Sequence, residues 1–553
     1  MPELHLRPDE VRVNWLADAG VKQRWRDVAA IVTIVVLHLL LYRKVIRLWW
    51  TYDDGNILRT LWYFPFNAPF TDANVWPQQL FTPLMIVAFD AQHAMFGMNT
   101  TGWYAVHLGI AITAALLSYA ALRLFFGAGA SLSAIALYTA GVPLVSVVTQ
   151  LSTVHYFIAI IFGALATMAW VRGWPLLSAV AYLLAMLAKE VACPLPLLFL
   201  AIPLRDVRTR LRWLILHAIA AAGYLLWRYA VLGTFTGAYG WVIEGAEWPR
   251  LIALLPWRVA QAMAGVDLAI GFTLVGLMLL AILYAMRHKQ ARLAILAGAI
   301  IIVLPLLLLA KEMNRRYVVV PWLAYSVAAV AGVASIRNRR VAATLLTALP
   351  LLAIVNNRQE WGHEFGVRQR MSDEGRFFFD LGPNGVLREP AVPPAVMAEL
   401  NTIKTFDLKR PAGASWFFDD IYLCTDPNIL AGKQVYEYDE TRRQIADVTA
   451  HMPALAKTYC GSIRQDATLT ASFRWEPPAA LHWDLGPYET GTYHAVLGNG
   501  VQMFPLPPHD ALNLPGAKGV TLRIRYDSPE GWVTYSPELA LDFVKRPEFA
   551  WAR

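Results

Sequence analysis

Apolar runs separated by short charged clusters set the plan of this chain. The stretches 28–42, 103–125, 130–148, 155–171, 174–188, 191–204, 213–232, 267–286, 293–310, 317–335 and 341–355 are almost wholly apolar, and each predicts a helix in lipid or packed against other helices. They make a mostly α polytopic membrane domain of about 11 transmembrane helices. Several fall short of the ~20 residues that span a bilayer, which leaves individual boundaries open. Beyond residue 356 the pattern changes. The tail is rich in Pro, Gly, Asp and aromatic residues and has no run long enough to span. Leu469 to Trp475, Thr492 to Leu497, Val520 to Tyr526 and Gly531 to Tyr535 alternate as strands do, while Tyr436 to Tyr459 reads as a helix. The expected domains are therefore a membrane domain over 1–355 and an α+β or β-rich domain over 356–553.

Composition agrees: of 553 residues 57% are hydrophobic and only 16% charged, and the mean hydropathy of +0.42 excludes a soluble protein of this length. The net charge of +8 does not mark a nucleic-acid partner, because the basic residues sit in loops between apolar runs. Lys22, Arg24 and Arg26 precede the first run, and Tyr42, Arg43 and Lys44 follow it where a signal peptide would have a small-residue cleavage site. The run is expected to stay as a span. With a cytoplasmic N-terminus, alternation puts three clusters inside: Arg205, Arg208, Arg210 and Arg212; Arg287, Lys289 and Arg292; Arg337, Arg339 and Arg340. Arg43, Lys44 and Arg47 are the exception, falling on the outer side, where they snorkel at the interface or meet anionic groups. An odd number of spans then exports the tail. There Cys424 and Cys460 could form a disulfide or remain two buried thiols; the spacing leaves both open. Cys193 reads as a packing residue.

The candidate chemistry begins at Asp53-Asp54, just after the first span. Carboxylates beside a membrane carry a desolvation cost, so an adjacent pair at a helix exit points to an outward-facing site. The loop 49–102 that holds them is dense in aromatics, among them Trp49, Trp50, Tyr52, Trp62, Phe66, Phe70, Trp76 and Phe81, broken by prolines. Interfacial anchoring and short interfacial helices are the expectation there; one or two rings could stack on a sugar.

Further motifs follow in order: Phe81-Thr82-Pro83-Leu84; Phe96-Gly97-Met98-Asn99 leading into Tyr104 and His107; Gln150-Leu151-Ser152-Thr153-Val154-His155-Tyr156; Leu187-Ala188-Lys189-Glu190 with Pro194 and Pro196; and Asn314-Arg315-Arg316-Tyr317 with Pro321. This series resembles the GT-C superfamily of membrane glycosyltransferases, in particular the protein O-mannosyltransferases and related enzymes that use polyprenyl-phosphate sugars. The resemblance covers about residues 28–335 and leaves out the tail, which lacks the tetratricopeptide period of some relatives. Thr82 stands where an arginine often precedes the Pro-Leu pair.

The resemblance implies transfer of a sugar from a polyprenyl-phosphate donor to a glycan, lipid or protein acceptor on the outer face, usually with inversion, in a bacterial inner membrane with a periplasmic or extracellular tail. In that chemistry a carboxylate takes the acceptor's proton, and Asp53 or Asp54 is the candidate, Asp54 slightly favoured. Guanidinium suits the departing phosphate, which selects Arg315 and Arg316, with Lys189 sharing the role and Glu190, His155 and Tyr317 completing the site. A divalent cation such as Mg or Mn could bridge Asp53 and Asp54 to the donor phosphate; members of the superfamily work with and without one. No zinc-site spacing, nucleotide-binding glycine loop or serine nucleophile motif is present in the sequence. Two other classes stay in view. A lipid or solute transporter would show ionisable groups or broken helices near the bilayer midplane, and a non-catalytic protein with an exported binding domain would not need the acidic pair.

Overall fold

The structure is a computed structural model. It describes residues 21–552, apart from 77–79, 203–205, 236–246, most of 288–312, 410–412, 427, 465–467, 477–479, 514–517 and 543–547. Its helices, in order, are α1 (Val21–Tyr42), α2 (Asp54–Tyr63), α3 (Pro83–Phe96), α4 (Thr100–Leu122), α5 (Ala128–Thr139), α6 (Val142–Val148), α7 (Val154–Arg172), α8 (Pro175–Ala188), α9 (Leu195–Ala201), α10 (Val207–Leu232), α11 (Trp248–Ala264), α12 (Leu268–Ala285), α13 (Val319–Ala334) and α14 (Arg339–Asp380). The chain forms two compact units: Met1–Leu48, Tyr63–Gly237 and Pro249–Gly366 make the first, and Trp49–Trp62, Ala238–Trp248 and Val367–Arg553 the second.

Among the described residues seven helices are long and apolar enough to cross a membrane, and the α5–α6 pair, bent by 61°, makes an eighth if it is one span. The chain is an integral membrane protein. The runs 174–188 and 191–204 become the 14-residue α8 and the 7-residue α9, the longer only about 21 Å at 1.5 Å per residue and short of a bilayer core. The run 293–310 lies largely outside the described residues. Trp248 to Ala264, which shows no long apolar run because Pro249, Arg250, Pro256 and Arg258 interrupt it, is nonetheless helical.

Helix α7 is the centre of the first unit, packed against α4 and α8; 61% of its apolar window is buried, against 17% for α10. A helix apolar all round must meet either protein or lipid, so α10 is the outermost of the two. The α5–α6 break has a local cause. Gly141 and Pro143 end one helix and start the next, and two side chains take up carbonyls freed at the end of α5: the Tyr42 hydroxyl donates to Thr139 O at 2.6 Å, and the Trp322 indole donates to Leu137 O at 3.2 Å. Near the N-terminal end of α1, Asp27 accepts from Tyr119 at 2.6 Å and from Arg123 at 2.7 Å, locking α1 to α4.

Close helix contact depends on small residues. A Cβ at Gly332 of α13 would lie 2.0 Å from the Ala281 carbonyl oxygen of α12, backbone that cannot swing away. Gly332→Ala is expected to destabilise the first unit by about 1–3 kcal/mol, read as a lower melting temperature in detergent; an unchanged melting temperature would show that these helices slide apart freely.

The aromatic loop is corrected in part. Phe81 is fully buried and Trp76 nearly so. Phe81 lies 5.8 Å from Trp227 and 6.1 Å from Tyr224 of α10, and Trp227 stacks on Phe70 at 5.8 Å. These rings are internal packing, whereas Tyr63 and Phe66 remain exposed as interfacial rings would. The expected short helices are α2 and α3.

In the second unit, β1 (Gly385–Arg388), β2 (Ser415–Phe417), β3 (Gln434–Asp439) and β4 (Gln444–Asp447) form a sheet of order β2-β1-β3-β4. Beside it lie α15 (Pro394–Thr402), α16 (Ile421–Thr425) and α17 (Met452–Ser462). A helix over Tyr436 to Tyr459 is therefore wrong for its first half: Asp439 accepts from the Thr441 and Arg442 N–H groups at 2.9 and 3.0 Å and turns the chain into a β3–β4 hairpin. Only from Thr449 does the chain become helical, as a 3-10 turn that leads into α17. The remaining strands, β5 (Thr470–Glu476), β6 (Ala480–Gly486), β7 (Thr492–Leu497), β8 (Gln502–Leu506), β9 (His509–Asn513), β10 (Lys518–Asp527), β11 (Val533–Tyr535), β12 (Leu539–Asp542) and β13 (Glu548–Ala552), build two antiparallel sheets. Phe473, Trp483, Tyr493, Ile524 and Tyr526 share the core between them. The strand expectations at 469–475, 492–497, 520–526 and 531–535 match β5, β7, β10 and β11. Cys424 of α16 and Cys460 of α17 are joined in a disulfide with Cα atoms 5.7 Å apart, which closes the alternative of two thiols.

Candidate functional site

Two groups of chemistry-bearing residues stand out, one in each unit. In the second unit the segment Trp49 to Asp54 forms a tight turn into α2. Tyr52 takes a left-handed conformation with φ 43°, uncommon for an aromatic residue and held by its surroundings. Asp54 opens α2: its N–H donates to Thr51 O at 3.0 Å while its Oδ2 accepts the Thr51 N–H at 2.8 Å, and its charge complements the positive end of the helix. Asp54 is fully buried and Asp53 only half-buried. The backbone thus gives the two carboxylates different surroundings.

The last turns of α14 hold this turn. The buried Arg368 guanidinium lies 3.7 Å from the centre of the Tyr52 ring, a cation–π contact at the residue preceding Asp53. Ser372 Oγ accepts the Trp49 N–H at 2.7 Å. A Cβ at Gly55 would come within 3.0 Å of the Ala395 and Val396 backbone of α15, so glycine lets the first turn of α2 press against that helix. Arg368 and Ser372 were not singled out in the sequence. Their spacing of four along a helix is ordinary, and only the fold reveals what they touch.

In the first unit, four separate segments bring polar groups together. His155 stands at the start of α7, its ring 4.5 Å from that of Tyr156 and its Nδ1 3.2 Å from Met85 Sδ. Lys189 follows the end of α8, pairs with Glu190 at 3.1 Å and lies 5.6 Å from the Tyr156 ring. Arg316 sits in a single 3-10 turn, Arg315–Val318, whose start Asn314 caps by accepting the Arg316 N–H at 3.2 Å. Its guanidinium donates to Gln150 Oε1 at 3.4 Å and stands 5.3 Å from the Tyr317 ring. The Tyr156 ring, which His155 and Lys189 both approach, and Gln150 at the start of the same segment, which Arg316 reaches, bring these groups to one neighbourhood. Of the residues expected from sequence, His155, Lys189, Glu190, Arg316 and Tyr317 are gathered here.

Arg228 is a further residue that sequence reasoning missed. It is buried on α10, donates to the Tyr224 hydroxyl at 3.4 Å, and Tyr224 in turn feels both Arg228 and Glu190. A lone arginine inside the apolar run 213–232 is itself a signal, because an ionisable group within a span is costly and marks a working site. Arg315 departs from the cluster: its guanidinium pairs with the buried carboxylate of Glu360 on α14.

Lys189, paired with Glu190 beside Tyr156, Arg228 beside Tyr224 and Arg316 beside Tyr317 set positive charge and phenols in an apolar setting, where charge–charge attraction is strengthened, chemistry that suits an anion. Among the described residues no group of three or more His, Cys, Asp or Glu side chains could hold a metal ion. Asp53 and Asp54 supply two acidic side chains.

No family model matches the chain, and no curated relative does. Among solved structures it is similar to the crystal structure of ArnT from Cupriavidus metallidurans bound to undecaprenyl phosphate, with 15% identity and a TM-score of 0.42, covering 76% of this chain and 94% of that one. It is also similar to the crystal structure of the Archaeoglobus fulgidus oligosaccharyltransferase tethered through a disulfide to an acceptor peptide containing the NVT sequon, with 12% identity and a TM-score of 0.40, covering 90% of this chain and 76% of that one.

Proposed function

We propose that this chain is a GT-C-type membrane glycosyltransferase that passes a sugar from a polyprenyl-phosphate donor to a glycan, lipid or protein acceptor on the outer face of a bacterial inner membrane. The observation that carries this reading is the basic group of buried Lys189 and Arg228 with half-buried Arg316 within an apolar helical unit. Such a cluster has no stabilising role that apolar residues would not fill more cheaply. It suits an anionic headgroup attached to a lipid.

The roles follow from the chemistry. As the acceptor hydroxyl bonds to the anomeric carbon, the bond from that carbon to the donor phosphate breaks, the phosphate keeps the electron pair, and the hydroxyl proton passes to a carboxylate. Asp53 is assigned that proton, because its half-buried carboxylate can meet an acceptor, while Asp54 is buried and engaged with Thr51. Arg316, Lys189 and Arg228 take the charge that grows on the departing phosphate. The Cys424–Cys460 disulfide supports an exported tail, since such bonds persist in oxidising compartments.

A second reading draws on two observations: a broken helix pair and a buried arginine in a span are also features of transporters. One experiment separates the two. In membrane vesicles supplied with a panel of labelled polyprenyl-phosphate sugars, wild type is expected to transfer label to acceptor, and Arg316→Ala to raise the donor KM about tenfold. Label that crosses the bilayer without changing carrier would favour transport, and wild type no better than empty membranes across the panel would sink the glycosyltransferase.

A further inference from the structure

Glu360 is a fully buried carboxylate in the membrane unit that the scheme above does not use. It lies on α14 and meets two other segments at once. One oxygen accepts the Val266 N–H at 2.9 Å, in the turn between α11 and α12, and the other pairs with the Arg315 guanidinium. The turn is shaped for it: Gly265 has φ +87°, and a Cβ there would stand 2.8 Å from Glu360 Oε2. One turn earlier on α14, Asn356 donates to Ala264 O at 2.8 Å. Asn356 and Glu360, four residues apart on one helix face, therefore clamp the Ala264-Gly265-Val266 turn.

What this clamp holds besides the turn is Arg315. That residue begins the single 3-10 turn that also carries Arg316 and Tyr317. A turn of four residues has little rigidity of its own, so the side chain of its first residue governs where the next two point. We infer that Glu360 is a positioning residue: its charge, delivered through Arg315, fixes the Arg315–Val318 turn so that Arg316 and Tyr317 face the anion-binding cluster. The donor-side part of this inference rests on the function proposed above; the structural part does not.

Glu360→Gln tests it, because the amide oxygen can still accept from Val266 while the charge pair with Arg315 is lost. The donor KM is expected to rise about tenfold with kcat within about threefold of wild type, and the loss is expected to be largely absent when Arg316 is already Ala, the mark of two residues acting through one contact. A residue that only holds the fold would reduce the amount of folded enzyme and leave the donor KM of the survivors unchanged. A nitroxide on Tyr317→Cys, with Cys193→Ser to remove the free thiol, reads the turn without any activity. It is expected to be immobile beside Glu360 and to gain a mobile component with Glu360→Gln. Unchanged spectra, or losses from Glu360→Gln and Arg316→Ala that simply multiply, would overturn the inference. If wild type transfers no sugar at all, the proposed enzyme falls while the spin label still decides the positioning role.

Discussion

Asp53→Asn is expected to lower kcat for sugar transfer by about three orders of magnitude with little change in donor KM, the size of effect that loss of a general base produces. The substitution keeps shape and removes basicity, so it separates proton acceptance from packing. Asp54→Asn should behave differently. Its amide oxygen can still accept the Thr51 N–H, and what is lost is a charge at the start of α2, worth about 0.3–1 kcal/mol. The expected result is a slightly less stable turn and a kcat within about tenfold of wild type. Rates for both variants, measured beside the melting temperature of each, decide the matter. Equal losses would remove the division of labour drawn from their burial, and undiminished transfer by both would remove the acidic turn from the mechanism.

Much of the helical plan was legible because lipid imposes a simple rule: a spanning segment must satisfy its backbone internally and be apolar over most of its length. The runs at 28–42, 103–125, 155–171, 213–232, 267–286 and 317–335 meet α1, α4, α7, α10, α12 and α13 within a few residues at most ends. The rule misses helices that are not apolar throughout and does not tell an interfacial ring from a packed one. Trp248 to Ala264 carries prolines and arginines and is still helical, and the rings of Phe70, Trp76 and Phe81 pack inside although their composition suggests an interface. In the tail, alternation identified four strands with a face on a core, as at Tyr493, Ala495, Ile524 and Tyr526, and missed β6, whose Leu481, Trp483 and Leu485 enter the same core. It was overridden at Tyr436 to Asp447, where helix-compatible residues follow a turn set by Asp439.

The site was legible as residue types and far less as partners. Hydropathy located Lys189, His155 and the Arg315-Arg316-Tyr317 run at helix ends, and the fold brings three of those segments to one neighbourhood. Two adjacent arginines looked equivalent in sequence. They are not, because the register of a 3-10 turn sends Arg316 toward Gln150 and Arg315 toward Glu360. Arg368 and Glu360 share another property: each has its meaning from a contact dozens of residues or more away in the chain. Sequence spacing carries no trace of such pairs. A charged residue inside an apolar run, as at Arg228, is the one case in which the cost of burial alone gives warning.

Removing the disulfide, by Cys424→Ser with Cys460→Ser, is expected to destabilise the second unit by about 3–4 kcal/mol, the chain-entropy value for a crosslink of this span, the two positions being separated by 36 in sequence. The bond fastens α17 to α16, and α17 carries Tyr459, whose hydroxyl donates to the buried Asp419 at 3.3 Å and meets that of Tyr535, itself donating to Asp419 at 2.6 Å. Arg525 closes the group on the other carboxylate oxygen at 3.2 Å. Burial and the neighbouring Asp419 charge push the Tyr459 hydroxyl pKa upward, so this network stays protonated and intact across ordinary pH. Hydrogen exchange suits a protein of two units better than a single melting curve. Amides of α16 and α17 are expected to lose two to three decades of protection, about 1.4 kcal/mol per decade, while those of α7 hardly change. The same bond tests which side of the membrane the tail occupies. In intact cells stripped to the inner membrane, a reductant that cannot cross the bilayer should expose the two thiols to an equally impermeant maleimide. Labelling that needs the membrane opened first would place the tail inside, and with it the acidic turn that packs within the same unit.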